Sequence, residues 1–152
     1  MNPALRIEAR AWQTMLAHAV GAYPEECCGA LIGGAKLVTR ALPLENVAPS
    51  GRQARYAVRS RDLAAAEIEA RRQGLWLVGI YHSHPDCAAR FSDEDQRNAC
   101  PWFSYLILSV RAGRVLGARS WVLNPERGPV PEEVITPEGA CPPPVLRGTK
   151  VE

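Results

Sequence analysis

The segment of residues 79–95, GIYHSHPDCAARFSDED, decides how the rest of the chain is interpreted. It overlaps LWLVGIY (75–81), a short apolar run rich in strand formers, which predicts a buried strand. Residues two apart point to the same face of a strand, so we expect His82 and His84 to aim their imidazoles together and Ser83 to point away. Two imidazoles side by side at the end of a buried strand make half of a zinc site.

The residues that follow the histidines offer further candidate ligands. Pro85 cannot donate to a central ladder, so the strand is expected to end there. A polar stretch then predicts a short helix from Ser92 to Cys100, which Pro101 stops. Residues three apart share a helix face, so Ser92 and Asp95 should look the same way. The same S-x-x-D pattern is close to an N-capping box, and a purely capping role is the alternative.

Together these motifs resemble those of the JAMM (MPN+) metallopeptidases. The family pattern is a glutamate well upstream, then H-x-H-P, a short loop and S-x-x-D. This chain has HSHP at 82–85 and SDED at 92–95, with the serine eight positions after the second histidine. Upstream, ECCGAL at 26–31 is similar to the family's E-x-C-G-x-L segment. The resemblance extends from about residue 11 to about residue 123, which is most of the chain.

The resemblance implies a zinc ion (Zn2+) held by three side chains. Two neutral imidazoles and one carboxylate, from His82, His84 and Asp95, would leave a fourth position open for water, as catalytic zinc requires. The spacing alone also permits an H-x-H-x2-C ligand set that ends at Cys87. The family pattern favours Asp95 over Cys87 as the third ligand.

The resemblance also implies which groups would assist hydrolysis of a peptide or isopeptide bond. Glu26 matches the family's glutamate and would act as the general base, moving a proton from water to the leaving amine. Glu25 is the adjacent alternative. Ser92 would hydrogen-bond the developing oxyanion.

The fold that the resemblance implies is a single MPN domain of the α/β (α+β) class. It would have a curved mixed sheet with flanking helices, similar to cytidine deaminases. We expect this domain over residues 1–136, followed by a Pro-rich and flexible tail over 137–152.

The implied substrate follows from the size of the segment around the motifs. Residues 85–105 have little room for the insertions with which eukaryotic relatives hold ubiquitin, so the chain resembles the compact bacterial members. These act on ubiquitin-like (β-grasp) sulfur-carrier proteins that end in Gly-Gly, which makes such a carrier the expected partner. A non-catalytic MPN scaffold and a hydrolase of cell-wall or phage-tail peptides are the alternatives. A zinc deaminase is disfavoured, because H-x-E and P-C-x-x-C do not occur.

The composition indicates an ordinary globular domain and points to no particular partner. The 152 residues are 47% hydrophobic and 22% charged, as in an ordinary globular domain. A net charge of +2 with scattered arginines gives no reason to expect a nucleic-acid partner. The absence of a signal peptide or a long apolar run leads us to expect a cytoplasmic protein away from membranes. Five cysteines, an odd number, are expected to be free thiols.

The remaining elements follow from periodicity and turn residues. We expect an amphipathic helix over 7–22, with His18 on its exposed side, and a second helix over 61–73, capped by Ser60 and ended by Gly74. A hairpin turn is expected at Gly33–Gly34. The expected further strands are 28–32, 36–44, 56–58, 105–110 and 115–124, with a possible edge strand at 133–135.

Overall fold

The computed structural model describes residues 3–140 and builds them around one mixed sheet. The elements in chain order are β1 Leu5–Ile7, α1 Ala9–Ala22, β2 Cys28–Gly34, β3 Leu37–Leu44, α2 Ser60–Arg72, β4 Trp76–Pro85, α3 Asp93–Arg97, β5 Ser104–Arg111, β6 Arg114–Asn124, β7 Gly128–Glu132, β8 Val134–Thr136 and β9 Gly139–Ala140. In this part of the chain no helix is long and apolar enough to cross a membrane.

The strand with the two histidines lies in the interior of the sheet. The strand order is β7-β6-β5-β4-β2-β3-β1-β8-β9. β4 pairs antiparallel with β2 on one side and parallel with β5 on the other, and it ends at Pro85 as predicted. The β2–β4 pairing shifts register between Leu31 and Ile32 of β2, opposite residues 77–79 of β4. Beyond that shift β4 is paired without interruption on both sides, so its side chains from Ile80 onward alternate between two buried faces.

α1 covers one face of the sheet. Its buried stripe is Ala11, Trp12, Met15 and Ala19, which pack into the larger core cluster. Val20, near the end of the helix, is 46% exposed. His18 was expected on the surface, but it is half-buried, and its Nδ1 lies 2.8 Å from the hydroxyl of Tyr81 on β4.

α2 covers the other face of the sheet. The sequence predicted the end of this helix correctly, but not its N-terminal cap. The small residues Ala66 and Ala70 of α2 are buried against the sheet. At the C-terminus Gly74 takes a φ of +71°, and the Leu75 N–H donates to the Ala70 carbonyl, which satisfies a terminal acceptor. At the N-terminus Arg59, not Ser60, occupies the capping position.

Two local predictions were wrong because tertiary pairing overrides local pattern. The first helix was predicted to begin at Ile7, but Ile7 is the last residue of β1, which pairs in parallel with β3 and β8. The β2–β3 turn lies at Ala35 and Lys36, with φ of 50° and 64°, instead of at the two glycines. A glycine is required at position 33, two residues before this turn, because a Cβ there would lie 1.8 Å from the Leu37 carbonyl oxygen.

A buried polar cluster shows that the sheet curls. The Lys36 ammonium in the β2–β3 turn lies 3.1 Å from the Glu132 carboxylate at the end of β7, which is several strands away in the sheet order. Lys36 also donates to Ser104 Oγ at 2.8 Å, and Ser120 Oγ donates to Glu132 at 2.6 Å. Because the Glu132 side chain is fully buried, these partners offset the cost of taking its charge out of water.

The C-terminal part of the sheet extends further than the sequence predicted. β8 replaces the possible edge strand at 133–135 and lies between β1 and β9, so it is not an edge. β9 lies beyond the expected domain boundary at residue 136. The rest of the predicted tail, residues 141–152 with Cys141, lies outside the described residues.

Candidate metal centre

The two histidines lie together on one face of β4, as the alternation predicted. The Nε2 atoms of His82 and His84 are 3.1 Å apart, and both rings are buried. Ser83 points to the opposite face, where its Oγ accepts a hydrogen bond from the Cys27 N–H at 2.8 Å. The register of β4 therefore fixes both imidazoles toward a single point.

Asp95 comes to the same point from the short helix α3. Its Oδ2 lies 3.3 Å from His82 Nε2 and 3.4 Å from His84 Nε2. The Ser92 N–H donates to Asp95 Oδ2 at 3.1 Å, while the Asp95 N–H donates to Ser92 Oγ at 3.0 Å. The S-x-x-D motif is thus a capping box, and the same cap aims the carboxylate at the histidines.

The three ligand atoms have the spacing that tetrahedral zinc requires. Their mutual distances are 3.1, 3.3 and 3.4 Å. The corners of a tetrahedron whose centre is about 2.05 Å away, the zinc–ligand distance, lie about 3.3 Å apart. His82, His84 and Asp95 therefore fit one face of a zinc coordination sphere without rearrangement.

Glu26 is the second carboxylate at this centre. It can place an oxygen within 4.8 Å of the two histidine nitrogens, and it is only 4% exposed. Its Oε1 is buried without a hydrogen-bond partner among residues 3–140. Glu25, the alternative that the sequence left open, is exposed. The structure therefore brings Glu26, and not its neighbour, to the histidines.

Burial and neighbouring charges set the protonation of these groups. Burial raises the pKa of Glu26 to about 7; the charge of His84 opposes this, and Asp95 adds to it. Burial lowers the pKa of His82, which keeps the imidazole neutral. Burial raises the pKa of Asp95, but hydrogen bonds and charge from the two histidines outweigh it and hold that pKa well below its usual range. A neutral imidazole and an ionised carboxylate are the forms that bind a metal.

The raised pKa of Glu26 predicts a pH-dependent stability of the metal-free protein. Between pH 4.5, the ordinary pKa, and about 7, the unfolded chain ionises this carboxyl while the folded protein keeps it protonated. The folded state is therefore progressively destabilised as pH rises through that window. The shift corresponds to about 3 kcal/mol.

We expect wild-type stability, relative to Glu26→Gln, to fall by about this amount between pH 4 and pH 8. Urea unfolding of both metal-free proteins across the range measures it. A difference that does not change with pH would show that Glu26 titrates normally.

The cysteines do not form part of the centre. Cys27 and Cys28 are buried, as expected of small core residues, and all four cysteines among residues 3–140 are free. Cys87 is exposed, whereas Asp95 Oδ2 lies within 3.4 Å of the Nε2 atoms of both histidines. The geometry thus supports Asp95, and not Cys87, as the partner of the histidines.

Two residues at the centre were missed from the sequence. Tyr56, predicted to lie in a short strand over 56–58, is in an irregular segment, and its ring stacks on the His82 imidazole. Asn46, assigned only to a loop, hydrogen-bonds the Glu26 carbonyl at 3.0 Å. No sequence pattern marks either residue, because both contacts join segments that are distant along the chain.

Comparison with known proteins shows which proteins the chain is similar to. The model of the Prok-JAB family, prokaryotic homologs of the JAB domain, matches residues 8–124. The chain is 40% identical over 83 residues to the probable TtuB-protein conjugate cleaving protease of Thermus thermophilus, covering 55% of each protein. It is 32% identical over 94 residues to tail tip assembly protein K of Escherichia phage N15, covering 58% of this chain and 35% of that protein. The chain thus spans between about a third and about half of the length of these curated relatives.

Solved structures show the same fold. A protein from Desulfitobacterium hafniense is 32% identical with a TM-score of 0.74, and the match covers 86% of this chain and 91% of that one. A JAB1/MPN domain protein from Archaeoglobus fulgidus is 18% identical with a TM-score of 0.55, covering 88% and 100% of the two chains. At that identity the second likeness concerns the fold alone.

Proposed function

The chain belongs to the prokaryotic JAB-domain family, and from this premise we propose that it is a zinc-dependent peptidase that cleaves at the Gly-Gly tail of a ubiquitin-like sulfur-carrier protein. The predicted single MPN domain, an α+β fold with a curved mixed sheet and flanking helices, is confirmed. The observation that carries the proposal is the triangle of His82, His84 and Asp95 with the buried Glu26 beside it.

His82, His84 and Asp95 are the proposed zinc ligands. Zinc in a site of this kind lowers the pKa of water to about 7 and polarises a carbonyl oxygen. The protein's part is to keep the ligands in their metal-binding forms and in place. Burial does the first for His82, and the capping box between Ser92 and Asp95 does the second for the carboxylate.

Glu26 is the proposed general base. As the water oxygen bonds to the carbonyl carbon, Glu26 accepts a proton from the water, and it returns that proton to the amine nitrogen as the C–N bond breaks. A base works best when its pKa is near the working pH, and in the metal-free protein burial raises the pKa of Glu26 to about 7. Its Oε1, which no residue within 3–140 hydrogen-bonds, would receive the proton.

Ser92 is proposed to stabilise the oxyanion. Its Oγ already accepts a hydrogen bond from the Asp95 N–H, which fixes the position of the hydroxyl group. The hydroxyl proton is not used by that bond and can be donated to the developing negative charge. Ser92 would therefore serve both as the cap of α3 and as an oxyanion donor.

The burial of the centre supports a slim extended substrate. The ligand side chains of His82, His84 and Asp95 are almost completely buried, so a substrate must approach them closely. A Gly-Gly tail permits this approach because it has no side chains. The Thermus thermophilus relative, described as a protease of TtuB-protein conjugates, supports a small protein modifier as the partner.

Cleavage of an extended carrier tests the proposal. A sulfur-carrier protein whose Gly-Gly end is lengthened by a fluorescent reporter peptide is incubated with the zinc-loaded protein, and the products are identified by mass. We expect the cut directly after the second glycine. Replacing either glycine with alanine should lower kcat/KM roughly 10-fold or more, because the added methyl group hinders close approach of the tail to the buried ligands. Equal cleavage of an Ala-Ala tail would contradict the proposed specificity.

The similarity to a phage tail tip protein favours one second candidate, a hydrolase of cell-wall or phage-tail peptides. A cell-wall stem peptide that carries the same reporter distinguishes the two in the same assay. Cleavage of the stem peptide alone would assign the chain to this second function.

A further inference from the structure

The two histidines of the centre are supported in different ways on the side away from the ligand triangle. His84 Nδ1 lies 2.8 Å from the Ala88 carbonyl oxygen, which fixes the ring by a hydrogen bond. His82 Nδ1 is buried and has no hydrogen-bond partner among residues 3–140. A metal-binding histidine almost always donates its second N–H to an acceptor, which orients the ring. Some other contact must therefore hold His82.

Tyr56 provides that contact. Its ring stacks on the His82 imidazole, with centroids 4.4 Å apart and an angle of 26° between the planes. Tyr56 also packs against the cluster that contains Ile80, Phe91 and Ile107, which restricts the movement of the tyrosine ring. Stacking at this distance prevents the imidazole from turning about its Cβ–Cγ bond.

Asn46 determines where Tyr56 lies. Its Nδ2 donates to the carbonyls of Glu26 and Arg55 at 3.0 and 3.1 Å. Its Oδ1 accepts from the Ala48 and Ala57 N–H groups, both at 3.1 Å. All four hydrogen-bonding positions of the amide are thus used. Two of these hydrogen bonds are to Arg55 and Ala57, the residues on either side of Tyr56.

We propose that Tyr56 is a positioning residue for the metal centre, which orients His82 by stacking in place of the missing Nδ1 hydrogen bond, and that Asn46 holds Tyr56 in place. This inference rests on the proposed function, because it assumes that His82 binds zinc. A metal-bound imidazole carries partial positive charge, so the tyrosine ring face stabilises the bound state more than the free one. The benefit should therefore appear in zinc affinity, and not only in the stability of the fold.

The test measures the zinc dissociation constant by chelator competition in four proteins: wild type, Tyr56→Phe, Tyr56→Met and Trp12→Leu. Phenylalanine keeps the ring, whereas methionine fills similar space without one. Trp12 is a buried aromatic residue of α1 in the core cluster on the other face of the sheet, so Trp12→Leu controls for a general loss of packing. We expect Tyr56→Met to weaken zinc binding roughly 10-fold, while Tyr56→Phe stays within about twofold, since outer contacts of ligands contribute about 10–100-fold.

Asn46→Ala gives a second measurement that does not depend on Tyr56→Met folding well. It should also weaken zinc binding. The double variant Asn46→Ala/Tyr56→Met should bind zinc little more weakly than the single variants, because both changes remove the same support of His82. Fully additive losses would overturn the link between the two residues.

The outcomes separate this inference from the proposed function. A wild-type protein that binds no zinc would overturn both. A wild type that binds zinc, with Tyr56→Met no weaker than Trp12→Leu, would overturn the positioning role alone. Loss of affinity in Tyr56→Phe equal to that in Tyr56→Met would show that the hydroxyl matters instead of the ring, and it too would overturn the inference.

Discussion

Glu26→Gln is expected to lower kcat at least 100-fold while the protein keeps its fold and its zinc. Glutamine has nearly the same shape but cannot accept a proton, and general-base catalysis contributes about 10²–10⁴-fold. Glu26 is the buried carboxylate near the two histidines that has no bonded partner for Oε1 in residues 3–140, so its loss should not disturb neighbours. Rate measurements beside elemental analysis of the dialysed variant separate loss of the base from loss of the metal.

Glu25→Gln is the matched control. Glu25 is the adjacent residue and the alternative that the motif left open, but its side chain is exposed. Its substitution should leave kcat within about twofold, as surface changes away from a site usually do little. If Glu25→Gln lost activity and Glu26→Gln kept it, the general base would have been assigned one residue too far along the chain.

The histidine pair and its strand could be predicted because their geometry depends on local rules. Side chains two apart on a strand must share a face, and a proline must end a central strand, so β4 and the direction of His82 and His84 followed directly. The approach of Asp95 also followed from a short-range motif. Its capping box is formed within four residues and needs no distant partner.

The support around the site could not be predicted because it is made by long-range contacts. Tyr56 reaches His82 across 26 positions of the chain, and Asn46 reaches back 20 positions to Glu26. Neither contact leaves a periodic trace in the sequence. The same holds for β1, whose three residues become a strand only because β3 and β8 lie on either side of them.

His84→Ala is expected to remove the zinc and with it all catalysis above background. Without His84 the proposed ligand set is reduced to the imidazole of His82 and the carboxylate of Asp95, which are two of the three protein ligands that a catalytic zinc site needs. Elemental analysis should show about one zinc per chain in the wild type and none in the variant. His18→Ala is the matched control, since His18 is the remaining histidine and contacts Tyr81 on the opposite face of β4. It should keep its zinc.

Zinc content, measured in the same way, also decides whether Asp95 or Glu26 is the third ligand. Both possible ligand sets contain the two histidines, with either Asp95 or Glu26 as the third member. The contacts of Asp95 Oδ2 to both imidazoles, at 3.3 and 3.4 Å, favour Asp95 as the ligand and leave Glu26 free to move protons. Asp95→Asn should therefore lower the zinc content, whereas Glu26→Gln should not. If instead Glu26→Gln lost the zinc and Asp95→Asn kept it, the roles would be exchanged, because a carboxylate committed to the metal cannot also act as the base.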